Sequence, residues 1–323
     1  MKVAILGGGD VYALNLARHL NTLGIDHFGI GRSRLATPAF WQIDHHYPYH
    51  ALHLVDHLPA IMAVLDTERP DVIVNFAAQG EGAASFAENA HYYYRTNTLG
   101  LVDLVEGLRH RPYIQRFVQI GSSEVYGSVS HAATESDPPQ PTSPYAVSKA
   151  AFDQHLSIMH RIHGFRCNVI RPSNAYCPGQ QAHRIIPRAI ICALKGEKLP
   201  LQGGGKAEKS YIHATDLSRA IVAVLHYGEI GAIYNCGPDE PMSIKELVMG
   251  CATACGVPYS LFVQEAPDRV GQDSRYWLDS SRLKALGWSQ TIGIMTGLYE
   301  MVEWVRKHHQ ELFSLDATFR IRP

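Results

Sequence analysis

Tyr145 and Lys149 stand four residues apart in Tyr145-Ala146-Val147-Ser148-Lys149. On a helix that spacing puts the phenol and the ammonium on one face. A neighbouring cation favours phenolate, drawing a tyrosine down from about 10 toward the working range of a general base. Roughly twenty positions earlier, Gly121-Ser122-Ser123-Glu124 follows a predicted strand and can supply hydroxyls and a carboxylate. Tyr145, Lys149, Ser122, Ser123 and Glu124 are therefore the candidate catalytic residues, and their chemistry is proton transfer.

A second group suits a phosphate-bearing ligand. Gly7-Gly8-Gly9-Asp10 lies between the apolar run Val3–Leu6 and a helical stretch. At such a turn a dinucleotide pyrophosphate meets helix N-terminal amides, and glycine permits the close approach. The next strand ends in Gly31-Arg32-Ser33-Arg34, without the Asp or Glu that an NAD site offers to the ribose. Two guanidiniums and a hydroxyl suit a 2′-phosphate, which favours NADP over NAD. A solvated basic loop is the alternative.

These residues need a scaffold that gathers strand ends. Apolar residues recur three apart at Val11, Leu14, Ala17, Leu20 and Leu23, as on one helix face, and Gly24 serves as a stop. Strands are predicted at Val3–Leu6, His27–Gly31, Leu52–Val55, Val72–Phe76, Phe117–Ile120 and Cys167–Ile170, with a helix around Pro59–Thr67. Helices alternating with strands that are apolar on both faces imply a doubly wound parallel α/β sheet, with its ligand at the carboxyl ends of the strands. The expected division is a dinucleotide-binding Rossmann domain over 1–173, to which 211–236 cross back. A smaller substrate-binding domain takes 174–210 and 237–323.

The 323 residues are 46% apolar and 18% charged, a globular composition. Lys and Arg number 29 against 30 Asp and Glu, which argues against a nucleic-acid or anionic-membrane surface. No stretch approaches the roughly 18 apolar residues of a membrane span. The apolar part of the opening is too short for a signal peptide, so a cytoplasmic location is expected. The six cysteines form no Cys-x-x-Cys pair and read as buried thiols. His45, His46, His50, His53 and His57 crowd one segment, but nothing fixes them on one face, and no metal site is assigned. Trp41, Tyr47 and Tyr49 in that segment read as packing or adenine-edge contacts.

Ordered segments along nearly the whole chain resemble the extended short-chain dehydrogenase/reductases, specifically the nucleotide-sugar epimerase/dehydratase group. They are Asn75-Phe76-Ala77-Ala78-Gln79, Asn97-Thr98-Leu99-Gly100, Ser122-Ser123-Glu124-Val125-Tyr126-Gly127, Tyr145–Lys149, Arg171–Tyr176, His213–Asp216 and Pro267–Tyr276. Ser122-Ser123-Glu124 is similar to the Thr-Asp-Glu or Thr-Ser-Glu of sugar nucleotide 4,6-dehydratases and of UDP-glucuronate decarboxylases, and Pro267–Tyr276 looks most like the dehydratases. The resemblance implies that Tyr145 takes the proton of the sugar C4 hydroxyl while a nicotinamide takes hydride. Ser122 would hold that hydroxyl and Glu124 would remove the C5 hydrogen. Water then leaves C6 and the stored hydride returns there. Gly7, Gly9, Asp10, Arg32, Ser33, Arg34, Ala77, Ala78, Asn97, Tyr145 and Lys149 would hold NAD(P). Asn174, Lys209 and Arg269 would hold a nucleoside-diphosphate sugar, and the molecule would be a homodimer.

The chain departs from that pattern at four places. The family's Gly-x-x-Gly-x-x-Gly has Asp10 and Ala13 at its second and third glycines, and an Asp facing pyrophosphate is repulsive. Ser123 stands where thymidine-type dehydratases carry the Asp that acts as C6 acid, which leaves Glu124 as base and acid. Gly80–Ala84 replace bulkier residues, and Cys177 replaces a glycine. The open alternatives are a C4-epimerase, a decarboxylase, a 4-keto reductase and a non-catalytic NADP-binding protein.

Overall fold

Successive side chains of a strand point to opposite faces, and the first strand buries both. Val3 and Ile5 join one apolar cluster, Ala4 and Leu6 another, and all four are buried. The computed structural model describes residues 1–32, 39–40, 43–80, 82–86, 89–268 and 271–315. Its main sheet contains β1 (Lys2–Leu6), β2 (Asp26–Gly31), β3 (Tyr49–Ala51), β4 (Val72–Asn75), β5 (Arg116–Ile120), β6 (Cys167–Pro172) and the strand Ile233–Cys236. The spatial order is Ile233–Cys236, β6, β5, β4, β1, β2, β3, and every pair is parallel. The order reverses between β1 and β4, which opens a crevice at their carboxyl ends.

Helices cover both faces, as a parallel sheet requires. α1 (Val11–Thr22) lies on the Val3 face. α2 (Leu58–Glu68) lies on the Ala4 face, where α3 (Ala90–Tyr94) runs through a π turn, Arg95–Gly100, into α4 (Leu101–Leu108). α5 (Pro144–His163) completes that layer. Its start follows the usual rules of helix ends. Ser143 accepts the Ala146 N–H at 3.1 Å, Pro144 takes the first turn, and Gly164 closes the helix at φ 65°.

α6 (Ile185–Lys195) leaves the sheet, α7 (Ala214–Tyr227) returns to pack against α1, and α8 (Ile244–Cys255) leaves again. A separate apolar cluster joins α6, α8 and the helix Ile294–Lys307. Ahead of the helix Ile294–Lys307, the N–H groups of Thr291 at 3.0 Å and Ile292 at 2.9 Å, and the Thr291 hydroxyl at 2.7 Å, donate to the buried carboxylate of Asp216 on α7.

One predicted strand is displaced. The third strand is Tyr49–Ala51, not Leu52–Val55. The cause lies on its neighbour: the Tyr47 and Tyr49 rings occupy the space that side chains would take at Gly29 and Gly31. All six cysteines are buried, with Cys251 and Cys255 on α8. Among the described residues no helix is long and apolar enough to cross a membrane.

Candidate active site

A cleft of about 990 Å³ runs along the carboxyl ends of the strands, joined near β2 by a smaller cavity of about 250 Å³. Ser122, Ser123, Glu124, Tyr145 and Lys149 line the larger one together with Asn174 and Lys209. Gly7 and Ala77 line the smaller, while Gly9, Asp10, Arg32 and Ala78 line both. Ser33, Arg34 and Arg269 lie outside the described residues.

The turn after β5 and the start of α5 position the candidate proton-transfer residues. Ser122 caps a short helical turn after β5, its hydroxyl oxygen accepting the Glu124 N–H at 3.1 Å. That fixes the Ser122 side chain and leaves its own O–H to donate. Tyr145 sits in the first turn of α5, its N–H donating to the buried Ser85 hydroxyl at 3.2 Å and its ring edge-on to Tyr93. One turn on, the buried Lys149 ammonium donates to the Ile120 carbonyl at 2.7 Å. Burial lowers its pKa to about 8, against the opposing charge of Asp153. Asp153 is held by Arg171 at 2.9 Å, and Arg171 donates to the Tyr126 hydroxyl at 2.8 Å. Both ions are buried, so β6 is locked to the helix that carries Tyr145.

The cofactor side rests on the turn after β1. Gly7 has φ +71°, and a Cβ there would stand 2.6 Å from the Ala77 nitrogen. Only glycine lets the turns after β1 and β4 approach this closely. Asp10 ends that turn as the N-cap of α1, its carboxylate accepting the Tyr12 N–H at 2.9 Å. Burial pushes this carboxyl above its usual range, while the Tyr12 N–H and the Arg184 guanidinium pull it back. Asn97 stands apart. It is fully buried and grips both backbone groups of Gln79, at 2.7 and 3.0 Å, so its side chain shapes the loop after β4.

On the substrate side, Asn174 opens a short strand beside Tyr211–His213. The Lys209 ammonium donates to the Asp273 carbonyl at 2.7 Å and lies 3.3 Å over the Tyr276 ring. Arg184 and Arg188, which the sequence did not single out, line the cleft from the start of α6. Five cations (Arg32, Lys149, Arg184, Arg188 and Lys209) thus face the carboxylates of Asp10 and Glu124, a balance suited to a polyanionic ligand. With the Gly7 turn, this fits a dinucleotide beside a second diphosphate. Among the described residues, no group of three His, Cys, Asp or Glu side chains is placed to hold a metal.

Residues 3–237 match the model of the NAD dependent epimerase/dehydratase family. Over 239 residues the chain is 37% identical to a dTDP-glucose 4,6-dehydratase of Streptomyces niveus, spanning 73% of this chain and 70% of that one. The crystal structure of the dTDP-glucose 4,6-dehydratase DesIV of Streptomyces venezuelae, with NAD bound, superposes at a TM-score of 0.87. It is 28% identical and covers 96% of this chain and 98% of its own. A UDP-glucose 4-epimerase of Thermus thermophilus, in complex with NAD, also gives 0.87, at 27% identity over 95% of this chain and 99% of its own.

Proposed function

The chain belongs to the NAD dependent epimerase/dehydratase family, and we propose that it dehydrates a nucleoside-diphosphate sugar to the 4-keto-6-deoxy form. The observation that carries this reading is Glu124, which shares one cleft with Ser122, Tyr145 and Lys149. Proton exchange at C4 needs only the tyrosine and lysine, whereas loss of water across C5 and C6 needs a further base. The identity to a dTDP-glucose 4,6-dehydratase supports the same reading.

When bound, a nicotinamide would supply the oxidant for C4 and the hydride that C6 later receives, which makes the cycle redox-neutral. Tyr145, its phenolate favoured by the Lys149 cation, accepts the C4 hydroxyl proton. Ser122 donates its hydroxyl hydrogen to the C4 oxygen and orients it. The 4-ketone acidifies the C5 hydrogen, and Glu124 removes it. Ser123 is buried and no stronger an acid than water, so the proton that Glu124 has gained leaves with the C6 hydroxyl as water, and C5 regains a proton as hydride adds at C6, which balances the one Tyr145 took from the C4 hydroxyl. Asn174, Lys209 and Arg269 are assigned to the substrate, and Lys209 meets a diphosphate as a point charge. Arg32, with Ser33 and Arg34 after it, is the basis for favouring NADP. A homodimer is proposed on α5, where Val147, Ile158 and Ile162 are exposed apolar side chains. Met159 on the same helix is core.

The superposition on a 4-epimerase favours a second reading, C4-epimerisation, which has no use for a base at C5. The Glu124→Gln variant separates the two. A dehydratase retains C4 oxidation, so reduced cofactor accumulates at 340 nm with dTDP-glucose while elimination stops. An epimerase turns over unimpaired, and that result would replace the dehydratase reading.

A further inference from the structure

In a dinucleotide site the first turn of the helix after β1 normally offers its free amides to pyrophosphate. Here most of those donors are already committed. The Gly8 N–H goes to the Ile30 carbonyl at 3.0 Å and the Asp10 N–H to the Gly7 carbonyl at 2.8 Å. The Tyr12 N–H goes to the Asp10 carboxylate. Gly9 and Val11 are left as the turn's uncommitted amides among the described residues. The helix end has therefore been neutralised by its own anion, on the wall of the cleft that must accept a diphosphate.

The opposite wall is built against this turn. The Tyr12 hydroxyl donates to the Ala175 carbonyl at 2.8 Å, and Gln180 donates to that hydroxyl at 2.7 Å. A Cβ on Gly179 would stand 3.0 Å from the Val11 side chain. This packing fixes where the segment ends, at Arg184, the N-cap residue of α6. The Arg184 guanidinium lies 3.5 Å from where a Gly80 Cβ would be, and it lines the cleft with Gly9 and Asp10. Its charge also pulls the Asp10 carboxyl down.

We propose that Asp10 and Arg184 act as a pair in cofactor binding: Asp10 takes the anion's place at the N-terminus of α1, and Arg184 restores the positive field that a diphosphate needs. Arg184 is then a cofactor-positioning residue supplied by the substrate-side segment, and Asp10 weakens the cofactor by repulsion. The inference rests on the cofactor-binding part of the proposed function and not on dehydration.

The test is calorimetric titration of NADP⁺ and NAD⁺ into wild type, Asp10→Asn, Arg184→Gln and the double variant, without sugar. Asparagine caps a helix as well as aspartate does, so Asp10→Asn removes charge without removing the cap. Removing a like charge near the diphosphate tightens binding by on the order of tenfold or more. Arg184→Gln weakens wild type by a similar factor and costs clearly less in the Asp10→Asn background, while Arg184→Lys retains most of the affinity. If wild type binds neither nucleotide, Asp10→Asn must restore binding. An unchanged or weakened affinity in Asp10→Asn, or an equal cost of Arg184→Gln in both backgrounds, overturns the pairing. A failure of the dehydratase reading appears in sugar products and leaves these titrations untouched.

Discussion

Lys149 carries its charge in a buried place, and that charge has a stability consequence separable from catalysis. Its folded pKa of about 8 lies below the ordinary lysine value of 10.5 because burial disfavours the ammonium. Below pH 8 both folded and unfolded chains hold the proton, and the folded chain bears the desolvation cost. Between pH 8 and 10.5 the unfolded chain binds more protons than the folded one, so stability from this group rises with pH. Lys149→Met should therefore abolish sugar oxidation and yet raise stability at pH 7 by about 1–3 kcal/mol, with the gain shrinking toward pH 10.5. Urea melts at pH 7 and 10 check it, and a gain independent of pH would contradict the assignment. The Tyr145–Lys149 pair was legible because helical spacing fixes which residues share a face. The repulsion at Asp10 was legible from charge alone. Its capping bond to Tyr12 and the approach of Arg184 were not, because they depend on how the 175–184 segment folds over α1.

The strands were read to within a residue where apolar runs were continuous, Val3–Leu6 for β1 and Val72–Phe76 for β4, because a buried parallel strand needs no alternation. The reading failed at β3, where Leu52–Val55 looked more apolar than Tyr49–Ala51. Tertiary fit decided it, since Tyr47 and Tyr49 fill space left by the glycines of β2. The junction of α7 with the 289–292 loop was also hidden. His213-Ala214-Thr215-Asp216 was recognised as a family segment, but Asp216 acts here as an acceptor for backbone N–H groups from distant residues. Asp216→Ala leaves those groups and the Thr291 hydroxyl without their buried acceptor. It should cost about 2–4 kcal/mol, seen as a lower urea midpoint at unchanged m-value. A loss below about 0.5 kcal/mol would mean that the joint contributes little.

For the whole molecule, strand–helix alternation pointed to the fold class, because it reflects period and not detailed contacts. Assembly was harder to read. On α5, Met159 is 2% exposed and Ile162 is 63% exposed, a difference that apolar character alone does not reveal. A surface isoleucine of that exposure on a long helix, with Ile158 one turn before it and Val147 near the other end, gives a second copy an apolar face to cover. Ile158→Glu/Ile162→Glu should shift sedimentation from dimer to monomer while the circular dichroism spectrum is unchanged. A wild-type monomer, or a dimer that survives both charges, would contradict the proposed interface.

The central claim is loss of water without net redox change, and mass spectrometry reads both at once. Purified protein is incubated with a panel of nucleoside-diphosphate sugars that includes dTDP-glucose, with NAD⁺ or NADP⁺, and products are weighed while absorbance at 340 nm is followed. The account predicts a product lighter by one water from at least one sugar, with no net change in reduced cofactor. An isomer of unchanged mass would make the chain an epimerase, and sugars left untouched beside bound cofactor would contradict the enzymatic reading altogether.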